Sequence, residues 1–159
     1  MYVRIVVPLD GSLVAEEALP HAEELARALG VPIVLLRVID NTPVGLCDNY
    51  GVAVSYVPGT ELADREEASA REYLTARQEQ IVARGVETTT TLRRGPVVRE
   101  LLGAARNGDL YVMASHGRTG MPRWFLGSVA EEMTRVSSVP VMLVRSRQEP
   151  AGSDREGAL

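Results

Sequence analysis

A chain of 159 residues is the usual size of one domain and is long enough to bury a continuous core without staples. Apolar residues make up 45% and charged residues 24%, the balance of an ordinary globular protein. With 17 basic and 21 acidic residues the net charge is −4, which argues against nucleic acid or an anionic membrane as the main partner.

Residues 3–9 form an apolar, β-branched run broken by Arg4 and ended by Pro8-Leu9-Asp10-Gly11-Ser12, which predicts a buried strand and a turn. The opening stretch has no basic segment followed by a long apolar one, and no apolar run approaches a membrane span, so the expected location is the cytoplasm. From residue 13 to 29 the period changes. Ala15, Ala18, Leu19, Ala22, Leu25, Ala26 and Leu29 recur at spacings of three and four, one face of a helix. Glu16 and Glu17 fall in its first turn, where acids suit the helix dipole, and Gly30 ends it. His21, set among alanines and glutamates, reads as a partly exposed surface residue. Residues 31–39 predict a second strand, interrupted by Arg37 and ending at Asp40.

Residues 41–60 carry Pro, Gly, Asn and Asp without a period and are expected to be a long loop, a length that usually serves a function or moves. The lone Cys47 lies there; it excludes an intrachain disulfide, fits a reducing compartment and reads as an inert thiol. Residues 61–84 predict a long charged helix with Leu62, Ala70, Tyr73, Leu74, Ile81 and Val82 as the buried stripe, ended by Gly85. The threonine run within residues 86–92 favours a strand of modest burial. A helix over 97–107, a strand over 109–114, a loop, a helix over 128–136 and a strand over 140–144 complete the order. The domain is expected over 1–146, and the polar tail 147–159 is expected to be disordered.

Strands alternating with helices give an α/β fold, a parallel sheet with helices on both faces. Such sheets bind ligands at the carboxyl ends of their strands, near the point where strand order switches. The segments after the first, second and fourth strands are the places to look.

The richest of these runs Ala114-Ser115-His116-Gly117-Arg118-Thr119-Gly120-Met121-Pro122-Arg123-Trp124-Phe125-Leu126-Gly127-Ser128. Phosphates need exposed backbone N–H groups and no obstructing Cβ, which Gly117 and Gly127 allow. Ser128 opens a helix whose free N–H groups suit an anion, and Arg118 and Arg123 add positive charge. Ser128 and Glu131 also make an S-x-x-E capping box, which accounts for both residues without a ligand. Asp10 is placed either to accept from a ribose or an adenine amine or to serve the turn, and Ser12 has the same capping alternative. The Val38 backbone can read an adenine edge or simply end a strand. His116 lies in the glycine-bracketed loop, but no paired cysteine or carboxylate motif makes it a metal site. No nucleotide-loop or nucleophile motif of the common types is present, and Trp124 and Phe125 read as loop packing.

Three blocks taken together resemble the universal stress protein family over about residues 2–145. They are Ile5-Val6-Val7-Pro8-Leu9-Asp10-Gly11-Ser12, the stretch Gly117, nine residues, Gly127-Ser128, and Ser137-Ser138-Val139-Pro140-Val141-Met142-Leu143-Val144. The nucleotide-binding subgroup opens its pattern with a glycine where this chain has Ala114, whose Cβ is expected to weaken binding at most. The resemblance implies a five-stranded parallel sheet in the order 3-2-1-4-5, Rossmann-like and of adenine nucleotide alpha hydrolase type. It implies ATP in the crevice beside the first and fourth strands. Asp10 would then meet the ribose or adenine side and Val38 the base, with Pro8, Leu9 and Ser12 also among the nucleotide-binding residues. Met113 and Ala114 would line the floor, and Gly117, Gly127, Ser128 and Val129 would surround the phosphates, with His116 and Arg118 also among the binding residues. Mg would be held mainly through phosphate oxygens. It further implies a homodimer through the last strand, with Val141 and Leu143 in the contact.

The expected function is that of a stress protein binding ATP as a regulatory ligand with slow or no hydrolysis. The alternative is a homodimeric stress or interaction protein of the same fold that holds no nucleotide. An ATP-using enzyme would need His116 as its base.

Overall fold

Short β-branched runs pair side by side once both of their faces can be covered. The computed structural model describes residues 1–40, 61–115 and 126–145. Strands β1 (Arg4–Pro8), β2 (Ile33–Ile39), β3 (Thr88–Arg94), β4 (Asp109–Ala114) and β5 (Val141–Val144) form one parallel five-stranded sheet in the order β3-β2-β1-β4-β5. This is the order implied by the resemblance. Helices α1 (Leu13–Glu16), α2 (Ala18–Leu29), α3 (Glu61–Ala83), α4 (Val97–Ala104) and α5 (Ser128–Val136) cover it. The expected loop 41–60 with Cys47, the stretch from His116 to Phe125 and the tail lie outside the described residues.

Side chains alternate across a strand, so each strand feeds two cores. Ile5, Val7, Leu9, Ile33, Leu35, Leu110 and Val112 face α1, α2 and α3. Val6, Val34, Leu36, Tyr111 and Met113 face α4 and α5, against Leu101, Ala130 and Met133. Ala18, Ala22 and Ala26 recur at i, i+4 along α2 and let it lie close on the sheet. At the amino ends of the strands the Arg4 guanidinium holds the fully buried Asp109 carboxylate at 2.6 and 2.8 Å, tying β1 to β4.

The structure departs from the sequence reading in several places, among them Leu29, expected on the buried face of the first helix but 46% exposed. The helix expected over 13–29 is divided at Glu17, because Pro20 has no N–H to give to the Glu16 carbonyl and is tolerated only in the first turn of α2. Glu16 consequently serves no dipole in a long helix; its carboxylate instead takes the Tyr73 hydroxyl at 2.9 Å and the Arg77 Nε at 3.0 Å. On α3 the buried residues are Ala63, Ala70, Leu74 and Ile81, whereas Leu62 is 76% and Val82 49% exposed. Helix α4 stops at Ala104 rather than near 107, since the Arg106 N–H turns to the Asp109 carboxylate at 2.8 Å. Tyr111 then closes that helix end, giving its buried hydroxyl to the Leu101 carbonyl at 2.6 Å.

Strand β3 bears out the modest burial expected of the threonines: Thr88 is buried, Thr89 and Thr90 are exposed, and the strand lies at the sheet edge. Glycines 30 and 85 follow α2 and α3 with φ of 66° and 82°, the left-handed ends expected of them.

Candidate functional site

Pro8 sets where the pairing between β1 and β4 ends. In β1 the odd residues Ile5 and Leu9 give their N–H groups to β2, so the even residues serve β4. Pro8 is even and has no N–H. Pairing between β1 and β4 runs from Arg4↔Asp109 to Val6↔Tyr111 and stops, while β4 continues to Ala114. Past that point β4 has no ladder partner on the β1 side, and this is where the strand order switches.

Three predicted residues or their neighbours come level there. The β1–β2 register pairs Pro8 with Leu36, and the Leu9 N–H still reaches the Leu36 carbonyl at 2.8 Å. Extending it by two residues sets Asp10 level with Val38. Extending the β1–β4 register sets Asp10 level with Ser115. On β2 the odd residues serve β3, as the Ile33 N–H to Glu87 and the Gly95 N–H to the Ile39 carbonyl show. Val38 therefore turns its N–H and carbonyl toward the β1 side, where β1 has ended. Among the described residues no backbone group meets them.

Asp10 also does the turn work weighed against its ligand role. Its Oδ1 accepts from the Ser12 N–H at 2.9 Å and the Ser12 hydroxyl at 2.6 Å, and Ser12 Oγ caps α1 by accepting from the Ala15 N–H at 3.1 Å. Gly11 between them has φ of 87°, a conformation that favours glycine.

The capping box expected of Ser128 and Glu131 does not form. Ser128 is the first residue of α5, and the N-cap is Gly127, which has no side chain to offer. Gly127 is held by its own N–H on the Ser115 carbonyl at 2.8 Å, and its carbonyl takes the Glu131 N–H at 2.8 Å. The helix thus begins beside the end of β4, and among the described residues no side chain caps its first N–H groups. Ser128 is exposed and Val129 half-buried beside them. Met113 and Ala114 are buried at the end of β4. Ala114 carries no backbone strain, since among the described residues only glycines have positive φ. His116, Gly117 and Arg118 lie outside the described residues. A cleft of about 510 Å³ adjoins this end of the sheet, lined by Asp40, Pro96, Val97 and Val129 among others.

Reasoning from sequence missed a column of side chains on the other face. Arg37 and Arg77 lie over the Tyr73 ring, with guanidinium carbons 5.2 and 5.5 Å from its centre. Burial, and then the bond to Glu16, push the Tyr73 hydroxyl well above its ordinary range and keep it neutral. The one available signal was Arg37 itself, a charge inside an apolar strand.

The pattern of the Universal stress protein family matches residues 1–145. The chain belongs to the universal stress protein family. Among its relatives, the universal stress protein MJ0531 of Methanocaldococcus jannaschii is 32% identical over 148 residues, covering 91% of this chain and 83% of that one. The solved structure of MJ0577 from the same organism superposes with a TM-score of 0.77 at 25% identity, covering 94% and 99% of the two chains. A universal stress protein solved in complex with cAMP shares the fold, with a TM-score of 0.63 at 22% identity over 91% and 97%. In this universal stress protein the strand order switches between β1 and β4. Among its described residues no helix is long and apolar enough to cross a membrane.

Proposed function

We propose that this protein binds an adenine nucleotide, ATP with Mg held through the phosphates, as a regulatory ligand that it hydrolyses slowly or not at all. The observation that carries this is the start of α5 beside the end of β4, uncapped by any side chain among the described residues and level by register with Asp10 and Val38. Adjacent strands lie roughly 5 Å apart. A nucleotide laid across them sets its base against the Val38 backbone on β2, its ribose at Asp10 on β1 and its phosphates at Ser128 and Val129. The family resemblance assigns Gly117, Arg118 and His116, which lie outside the described residues, to the phosphate side. The related fold solved with cAMP accords with an adenine ligand. Strand β5 is a sheet edge with Val141 and Leu143 half-buried, which suits a homodimer through that strand in the cytoplasm.

Calorimetric titration with Mg-ATP tests the reading. Saturable binding near one per chain, weakened in Asp10→Ala, supports it. No heat at millimolar nucleotide would instead favour the homodimer that holds no ligand, a reading that rests on Ala114 standing where the nucleotide-binding pattern has glycine.

A further inference from the structure

We propose that the same site also takes adenine nucleotides that carry a phosphate on the 2′ or 3′ position of the ribose, which Arg37 reads, an inference that rests on the nucleotide reading above. The half-buried arginines of the described chain are Arg4, Arg37, Arg77, Arg93 and Arg94. Arg4 pairs with Asp109, Arg77 with Glu16, Arg93 with Glu100 and Arg94 with Glu67. Arg37 alone among them holds no carboxylate; its partner is the face of the Tyr73 ring. The Glu16 oxygen that lies against Tyr73 is already shared by the Tyr73 hydroxyl and Arg77. A ring face offsets part of the cost of withdrawing a guanidinium from water, but among the described residues no hydrogen bond or ion pair takes up the in-plane N–H fork. That fork has the geometry to hold a phosphate by two hydrogen bonds.

Its place selects which phosphate. The Arg37 guanidinium lies over Gly11: a Cβ built on that glycine would stand 3.1 Å from Nη1 and 3.4 Å from the guanidinium carbon. Gly11 follows Asp10, the ribose residue of the proposed site. The start of α5, which would take the 5′ phosphates, is anchored on β4, whereas Arg37 is on β2, with β1 between them. An anion at Arg37 therefore belongs to the ribose edge remote from the 5′ chain. Glycine at position 11 is what lets the guanidinium approach from the α3 face.

The test compares adenosine 5′-monophosphate with adenosine 2′,5′-bisphosphate and adenosine 3′,5′-bisphosphate, by calorimetry on the full chain. One bisphosphate is expected to bind about tenfold tighter than the monophosphate, and the two together identify the ribose position. Arg37→Met keeps the apolar stem and is expected to abolish that preference while changing monophosphate affinity less than about twofold. Arg37→Lys, which keeps the charge but not the fork, retains only part of it. Melting curves of both variants establish that they fold. Equal affinity of the wild type for all three compounds, or a preference that survives in Arg37→Met, overturns the role of Arg37 and leaves the nucleotide reading standing. Absence of binding by all three and by Mg-ATP overturns both.

Discussion

The Ser12 hydroxyl lies 2.6 Å from Asp10 Oδ1 and at the same time accepts the Ala15 N–H at 3.1 Å. One hydroxyl thus fixes the Asp10 carboxylate and starts helix α1. Ser12→Ala removes both bonds. It is expected to cost about 1 kcal/mol of stability, the usual worth of an N-cap, and to weaken Mg-ATP binding by loosening Asp10. Urea unfolding gives the first quantity and calorimetry the second. Intact affinity together with lowered stability would confine the pair to turn formation.

Ser128→Pro separates cap from ligand. Proline suits the first residue of a helix, and the preceding Gly127 has φ of −62° and ψ of 144°, the extended conformation that a residue before proline prefers. Stability is expected to stay within about 0.5 kcal/mol. Loss of one N–H and the hydroxyl is expected to lower ATP affinity about tenfold or more. A large drop in melting temperature with unchanged affinity would restore the capping role that the structure denies.

The buried stripe of α3 makes a contrast within one helix. Ile81→Ala empties a fully buried site and is expected to cost about 2–5 kcal/mol. Leu62→Ala and Val82→Ala change exposed residues and are expected to cost less than about 0.5 kcal/mol. Equilibrium denaturation of the three variants decides the matter; similar losses at all three positions would contradict the observed helix face.

Tyr111 sets an alkaline limit. Burial, and after it the Asp109 charge, push its hydroxyl up from 10.0 to about 12. The unfolded chain releases this proton first, so the stabilisation is complete below about pH 10 and is lost as pH rises toward 12. Tyr111→Phe is expected to flatten the fall in stability over that window, with Tyr73 adding a remainder of the same sign. At neutral pH the same change costs about 1–3 kcal/mol, because the Leu101 carbonyl loses its partner. An unaltered alkaline profile would sink the assignment.

Much of the fold is legible in the amino-acid sequence. The strands 109–114 and 141–144 and the helix 128–136 were bounded by Pro, Gly and a change of apolar period, which are properties of neighbouring residues. The Pro8-to-Ser12 turn was legible for the same reason. Two errors were also local. Pro20 was absorbed into a helix that it interrupts, and the S-x-x-E spelling at Ser128 suggested a cap one residue late.

By itself the chain determined the alternation of strand and helix, the turn glycines and the family, since periodicity and motif spacing survive in one dimension. Only the tertiary structure decided which side of α3 is buried, that Pro8 ends the pairing with β4, and that Asp10, Val38 and Ser115 come level. It also decided that Arg37 lies over Gly11 and against Tyr73. Each of these depends on the register between strands far apart in sequence. That register is set by packing on both faces of the sheet rather than by any contiguous run of residues.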